Sequence, residues 1–205
     1  AGATAATSRP SEADGPRALR IKVLSLGSAA VGKSTIIKRY CESRFVQKYI
    51  TTIGIDYGVK PVKVLGLDVK VNFFDTSGGD EFKDIRVDFY DKTGGVLLCY
   101  DVTNRQSFLD LDRWLEEAKR YGLRLSRGGN GSELPFVVLC ANKVDLPRRA
   151  VTKPEGMEFA SNHGFYYFET SANTGEAVVE AMTCLFEKVV DHHFEARKRL
   201  ALGGC

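Results

Sequence analysis

The sequence predicts an α/β fold: a mostly parallel six-stranded sheet with one antiparallel strand and helices on both faces. Three observations lead there. Short apolar runs alternate with helical stretches along nearly the whole chain, the pattern of repeated strand–helix units. Several runs, such as VLLCY and FVVLC, are apolar without a break, as strands buried on both faces must be. A glycine-bounded loop joins the first run directly to the first helix.

Taken in order, residues 1–19 are rich in Ala, Ser, Pro and Gly, which predicts a disordered N-terminal arm. The folded domain is expected over 20–192, and a helix end and tail over 193–205. Order begins at Leu19, where IKVLSLG reads as a buried strand ending in glycine. Ser34 to about Ser43 has helical character. Ile53–Leu65 and Val69–Phe74 read as a hairpin turning at Gly66, the source of the antiparallel strand. Val96–Tyr100, Phe136–Cys140 and Phe165–Phe168 supply the remaining strands. Helices are expected over about Ser107–Tyr121, Pro154–His163 and Gly175–Leu200. In the last, Val178, Met182, Leu185, Phe186 and Val189 recur at three- and four-residue steps. Residues 122–135, glycine-rich, read as a surface loop.

Composition narrows the function. The chain has 205 residues, enough for one domain, with 43% hydrophobic and 27% charged residues. Its net charge of +3 is too small to argue for nucleic acid or an anionic membrane. No apolar run approaches the roughly 20 residues that span a bilayer, and the first twenty residues hold no apolar block suited to a secretory signal. The five cysteines are scattered and never paired as CxxC, which indicates neither a zinc site nor a disulfide framework. That usage fits a reducing compartment, cytosol or nucleus.

Gly27-Ser28-Ala29-Ala30-Val31-Gly32-Lys33-Ser34 matches GxxxxGK[ST] in full, between a predicted strand and a predicted helix. Such a P-loop turns successive backbone N–H groups onto phosphate oxygens, and the helix N-terminus adds its positive dipole end. Lys33 is expected to reach the β- and γ-phosphates, Ser34 to bind Mg²⁺, and Thr35 to complete the cradle. The cradle does not name the base, because ATPases and kinases share it.

Two later segments do. Asn142-Lys143-Val144-Asp145 follows FVVLCA, at the strand end where ligands bind in open α/β sheets. A carboxylate there can accept from guanine N1–H and the exocyclic amine, whereas adenine would leave it unpaired. After the strand Phe165–Phe168 comes Glu169-Thr170-Ser171-Ala172, whose Ala172 N–H can be offered to guanine O6. Three motifs in order, each at a strand end, point to GTP or GDP rather than ATP.

With these motifs the chain resembles the Ras-like small GTPases over about residues 20–192, and among them the Rab branch. The resemblance includes Thr52-Ile-Gly-Ile-Asp56-Tyr, Asp75-Thr-Ser-Gly78, Tyr100-Asp-Val-Thr103, and Ser107-Phe108 with Trp114-Leu115 following. CxxRFVxKYxxTIGIDYGV and KxNFFD liken it more closely to the RJL group, Rab-like proteins that sometimes carry a J domain; no His-Pro-Asp tripeptide, the mark of that domain, occurs here. The resemblance implies a P-loop NTPase fold and a set of roles. Phe45 would stack on guanine, the alternative being a core aromatic. Thr52, rather than its neighbour Thr51, would bind Mg²⁺ in the GTP state. Asp75 would hold Mg²⁺ through water, and the Gly78 N–H would meet the γ-phosphate. Effectors and exchange or activating proteins would dock on switch loops at about 46–56 and 76–91, with the protein a monomer.

Two departures bear on turnover. Gly79 stands where the family's water-orienting glutamine is expected, and Ala29 stands where glycine usually leaves room for a partner's arginine. Both imply slow GTP hydrolysis, or else a persistently GTP-bound scaffold. The single terminal Cys205 completes neither family lipidation pattern, and one lipid gives only marginal membrane attachment.

Overall fold

The computed structural model describes residues 18–45, 50–125 and 135–202. The expected N-terminal arm (apart from its last two residues), most of the glycine-rich loop, residues 46–49 of the first switch and Cys205 lie outside the described residues.

The elements run β1 (Leu19–Leu26), α1 (Lys33–Glu42), β2 (Ile55–Val64), β3 (Leu67–Thr76), a short 3₁₀ turn (Asp80–Phe82) and α2 (Lys83–Val87). There follow β4 (Gly95–Asp101), α3 (Arg105–Arg120), β5 (Phe136–Asn142), α4 (Lys153–His163), β6 (Tyr166–Thr170) and α5 (Val178–Leu202). The sheet order is β2-β3-β1-β4-β5-β6, and only β2 runs antiparallel. The α/β fold expected from the pattern is therefore present, including the hairpin turn at Gly66, where φ is +79°.

Strand alternation divides the apolar side chains between two cores. Along β1, Ile21 and Val23 face one core with α1 and α5, whereas Leu24 and Leu26 face the other with α3 and α4. Because β1 lies between β3 and β4, the connections diverge on either side of it. The loop after β1 thus sits at the switch point, where such sheets open a ligand crevice.

Boundaries differ from expectation for local reasons. α3 begins at Arg105 rather than Ser107, because the Asn104 side chain caps it by accepting from the Gln106 and Ser107 amides. α5 begins at Val178 rather than Gly175: Gly175 and Ala177 have φ of +91° and +50°, which no right-handed helix accommodates. The five-residue α2 carries too little periodicity to be read from sequence.

α4 opens with a reciprocal cap: Glu155 N–H donates to Thr152 Oγ1, and Thr152 N–H donates to Glu155 Oε2 at 2.8 Å. The Thr152 backbone and hydroxyl, with Arg105, hold the Glu155 carboxyl down at about 2. Its folded value is depressed, so this contribution is complete above the ordinary Glu range near ~4.3 and fades as pH falls towards about 2. Thr152→Ala is expected to cost about 1 kcal/mol at neutral pH, and chemical denaturation at pH 7 and pH 2 should show the difference shrinking in acid.

Candidate nucleotide-binding site

The C-terminal ends of β1, β4, β5 and β6 converge on one edge of the sheet, where a cleft of ≈ 550 Å³ opens. Its lining joins the loop after β1 (Ala29, Ala30, Gly32, Lys33, Ser34, Thr35) to Phe45, Thr52 and Gly78, and to Asn142, Lys143, Asp145 and Ala172. Residues as far apart in sequence as Ala29 and Asn173 thus share one cavity.

The phosphate-loop conformation follows from its small residues. Gly27 has φ +134° and lies so close to Cys99 that a Cβ would strike the Cys99 carbonyl. Ala30 has φ +62°, a left-handed conformation that turns successive N–H groups to one side. Gly32, φ +101°, opens α1 and leaves room for the Asn142 amide. Lys33 Nζ donates to the Gly27 and Ser28 carbonyls at 2.7 and 3.0 Å. Burial pushes this ammonium's pKa down, and nearby Asp75 opposes that shift. Ser28 Oγ donates to Asp110 of α3, which fastens the loop from behind.

Beside Lys33 is a set of oxygen donors. Ser34 Oγ and Thr52 Oγ1 are 2.9 Å apart, so Thr52, not Thr51, meets Ser34. Asp75 is 5% exposed and accepts from Ser25 Oγ. Burial raises its pKa, against the hydrogen bonds from Ser34 and Ser25 and the charge of Lys33. A buried carboxylate and two hydroxyls form a hard, all-oxygen set that fits Mg²⁺, which completes its shell with water and phosphate oxygens. Among the described residues no cluster of three His, Cys, Asp or Glu offers a competing metal site.

At the other end, Asp145 Oδ1 accepts from Ser171 Oγ at 2.7 Å and Oδ2 from Asn173 Nδ2 at 3.0 Å. Burial alone would raise this carboxyl, but the two hydrogen bonds hold it below its ordinary value. Asn142 ties the site together: Nδ2 donates to the Val31 carbonyl, while Oδ1 accepts from Thr170 Oγ1 and the Ala172 N–H. The Ala172 amide, expected to face guanine O6, is therefore already hydrogen-bonded, and a base would have to share or replace that bond. Lys143, φ +70°, pairs with Asp101 at 2.6 Å. Phe45 is 39% exposed on the cleft and belongs to neither core.

Gly78 packs directly on the phosphate loop, with Ala29, Ser28 and Gly27 backbone atoms where its Cβ would stand. Gly79 is extended, φ −80° and ψ 146°, a conformation open to any residue.

Sequence reading missed several neighbours. The Arg86 guanidinium, 1% exposed, donates to both Glu117 carboxylate oxygens and to the Gly79 carbonyl, and Tyr90 donates to Glu117. An aromatic row, Tyr57–Phe74–Phe89, runs between β2 and the segment after α2 with centroids 5.0 and 5.4 Å apart. Hairpin alternation could have flagged Tyr57 opposite Phe74; nothing in the sequence marks Arg86 as a partner of Glu117.

The family model described as "Ras family" matches residues 22–191, and the chain belongs to that family, which makes its class that of the small GTPases. It is similar to proteins named DnaJ homolog subfamily C member 27, of the Rab-like RJL group: 50% identical to that of Homo sapiens over 183 residues, 48% to that of Mus musculus over 186 and 49% to that of Gallus gallus over 183. These matches cover 89%, 90% and 89% of this chain and 66%, 67% and 66% of the relatives, so the chain spans about two thirds of their length. Among the described residues no helix is long and apolar enough to cross a membrane.

Proposed function

We propose that this chain is a guanine-nucleotide switch with Mg²⁺-dependent binding and slow GTP hydrolysis. The observation that supports it most is the single cleft lined at one end by Lys33 and Ser34 and at the other by Asp145 and Ala172. In this reading the loop amides and Lys33 hold the phosphates, Asp145 pairs with the guanine edge, and Phe45 covers the base. Bound Mg²⁺ would be held by Ser34, Thr52 and, through water, Asp75, neutralising phosphate charge. The Ser34–Thr52 approach and the Gly78 packing favour a switch that closes on a third phosphate and loosens after its loss. Effector and regulatory proteins would read that difference on the exposed Ile53, Ile85 and Tyr57.

Slow turnover follows from Gly79, which has no side chain to orient the attacking water. Its extended backbone suits a residue with a side chain, and the atoms nearest to an added Cβ are the flexible end of Glu81. Single-turnover phosphate release from GTP-loaded protein is expected to rise about tenfold in Gly79→Gln, a change of ~1.4 kcal/mol in barrier, and further when Glu81→Ala clears the space. An unchanged rate would remove position 79 from water orientation. A second reading, a persistently GTP-loaded scaffold, draws on the same glycine and on the Ala29 methyl lining the cleft. It requires purified native protein to retain GTP through prolonged incubation.

A further inference from the structure

We propose that Glu81 biases this site toward the diphosphate, by holding a carboxylate beside the place where a third phosphate would lie. The inference rests on the guanine-nucleotide reading above. The volume that a side chain at position 79 would enter is filled by the two carboxylate oxygens of Glu81, folded back from the 3₁₀ turn. Glu81 lines the same cleft as Lys33, Thr52 and Gly78, the residues grouped around the phosphate end.

Its placement follows from fastenings on the backbone around it. The Gly79 carbonyl is held by Arg86 and also accepts from the Phe82 N–H at 3.4 Å, closing the turn that contains Glu81. Asp80 is gripped through both carboxylate oxygens by Arg113 Nη1 at 2.9 Å. With residues 79 and 80 fixed to α2 and α3, the side chain of the next residue, Glu81, is turned back over Gly79. Both arginines are already committed, Arg86 to Glu117 and Arg113 to Asp80. Among the described residues, no ion pair or hydrogen bond neutralises Glu81. GTP brings one more negative charge than GDP to this end of the cleft, and like charges in a partly solvated cleft repel. The group is exposed, so the effect is moderate and screened by salt, with a Debye length of about 10 Å at 0.1 M.

The test is equilibrium titration of the full chain, stripped of nucleotide, with GDP and with a non-hydrolysable GTP analogue in Mg²⁺. Wild type, Glu81→Gln and Glu81→Lys are compared at low and at physiological ionic strength. Glu81→Gln is expected to raise the affinity for the analogue relative to GDP about fivefold, and Glu81→Lys further. GDP affinity itself should move less than twofold, and the gain should narrow as salt is added. An unmoved ratio in both variants, with GDP binding intact, overturns the proposal. So does slower single-turnover phosphate release in Glu81→Gln at an unmoved ratio, because the carboxylate would then be serving the attacking water. Failure of wild type to bind GDP overturns the nucleotide reading and this inference together, a result distinct from an unmoved ratio.

Discussion

Asp145→Ala is expected to lower GTP affinity about a thousandfold while leaving ATP affinity where it was. Two hydrogen bonds from a base to an ionised acceptor contribute about 1.5–3 kcal/mol each, and adenine cannot supply the pair. The carboxylate is already aligned by Ser171 and Asn173 before any base arrives, so the ordering cost is small. Those same hydrogen bonds hold its pKa below the ordinary carboxylate value, so the preference for guanine should persist as pH falls through about 4. Competition titration of labelled GDP with GTP and ATP, at pH 7 and at about pH 4, where an ordinary Asp would be half protonated, measures both points. Undiminished preference in the variant would sink the assignment of Asp145 to the base.

Gly78→Ala is the second large effect. The obstacle is steric and not conformational, since Gly78 is absent from the positions with positive φ. An added methyl would run into main-chain atoms of Gly27, Ser28 and Ala29, which cannot yield without opening the phosphate cradle. Relieving such a clash typically costs about 1–3 kcal/mol, so the segment should swing off the loop. GDP affinity is expected to stay within about threefold of wild type, because the cradle then relaxes around two phosphates. Affinity for a non-hydrolysable GTP analogue should fall about tenfold or more. Equal losses for the two nucleotides would mean that Gly78 supports the cradle itself and plays no part in sensing a third phosphate.

What could be read in advance divides along physical lines. β4 and β5 were legible because burial on both faces writes itself as unbroken apolar runs, Val96–Tyr100 and Phe136–Cys140, whereas the mostly exposed edge strand β2 and its neighbour β3 were legible as a hairpin turning at Gly66. The phosphate loop was legible because its backbone demands particular residues at fixed spacing. The grouping of Lys33, Ser34, Asp145 and Ala172 in one cleft follows from placing each after a parallel strand. Contacts made by side chains alone were not. Arg86 and Glu117 are 31 residues apart on separate helices, and neither lies in a motif that announces the other. The bond from the Ala172 amide to Asn142 was also hidden, since it depends on the exact separation of β5 and β6. Helix starts shifted by two or three residues where the Asn104 cap and left-handed Ala177 overrode periodicity.

The Arg86–Glu117 pair has a consequence for pharmacology. Any compound wedged into the seam between α2 and α3 must part a bidentate pair with its arginine fully enclosed, and separating such partners costs about 3–5 kcal/mol. An apolar wedge cannot repay that. A ligand for this seam would need its own carboxylate to replace Glu117 or its own guanidinium to replace Arg86, which makes the seam selective for charged or zwitterionic chemistry.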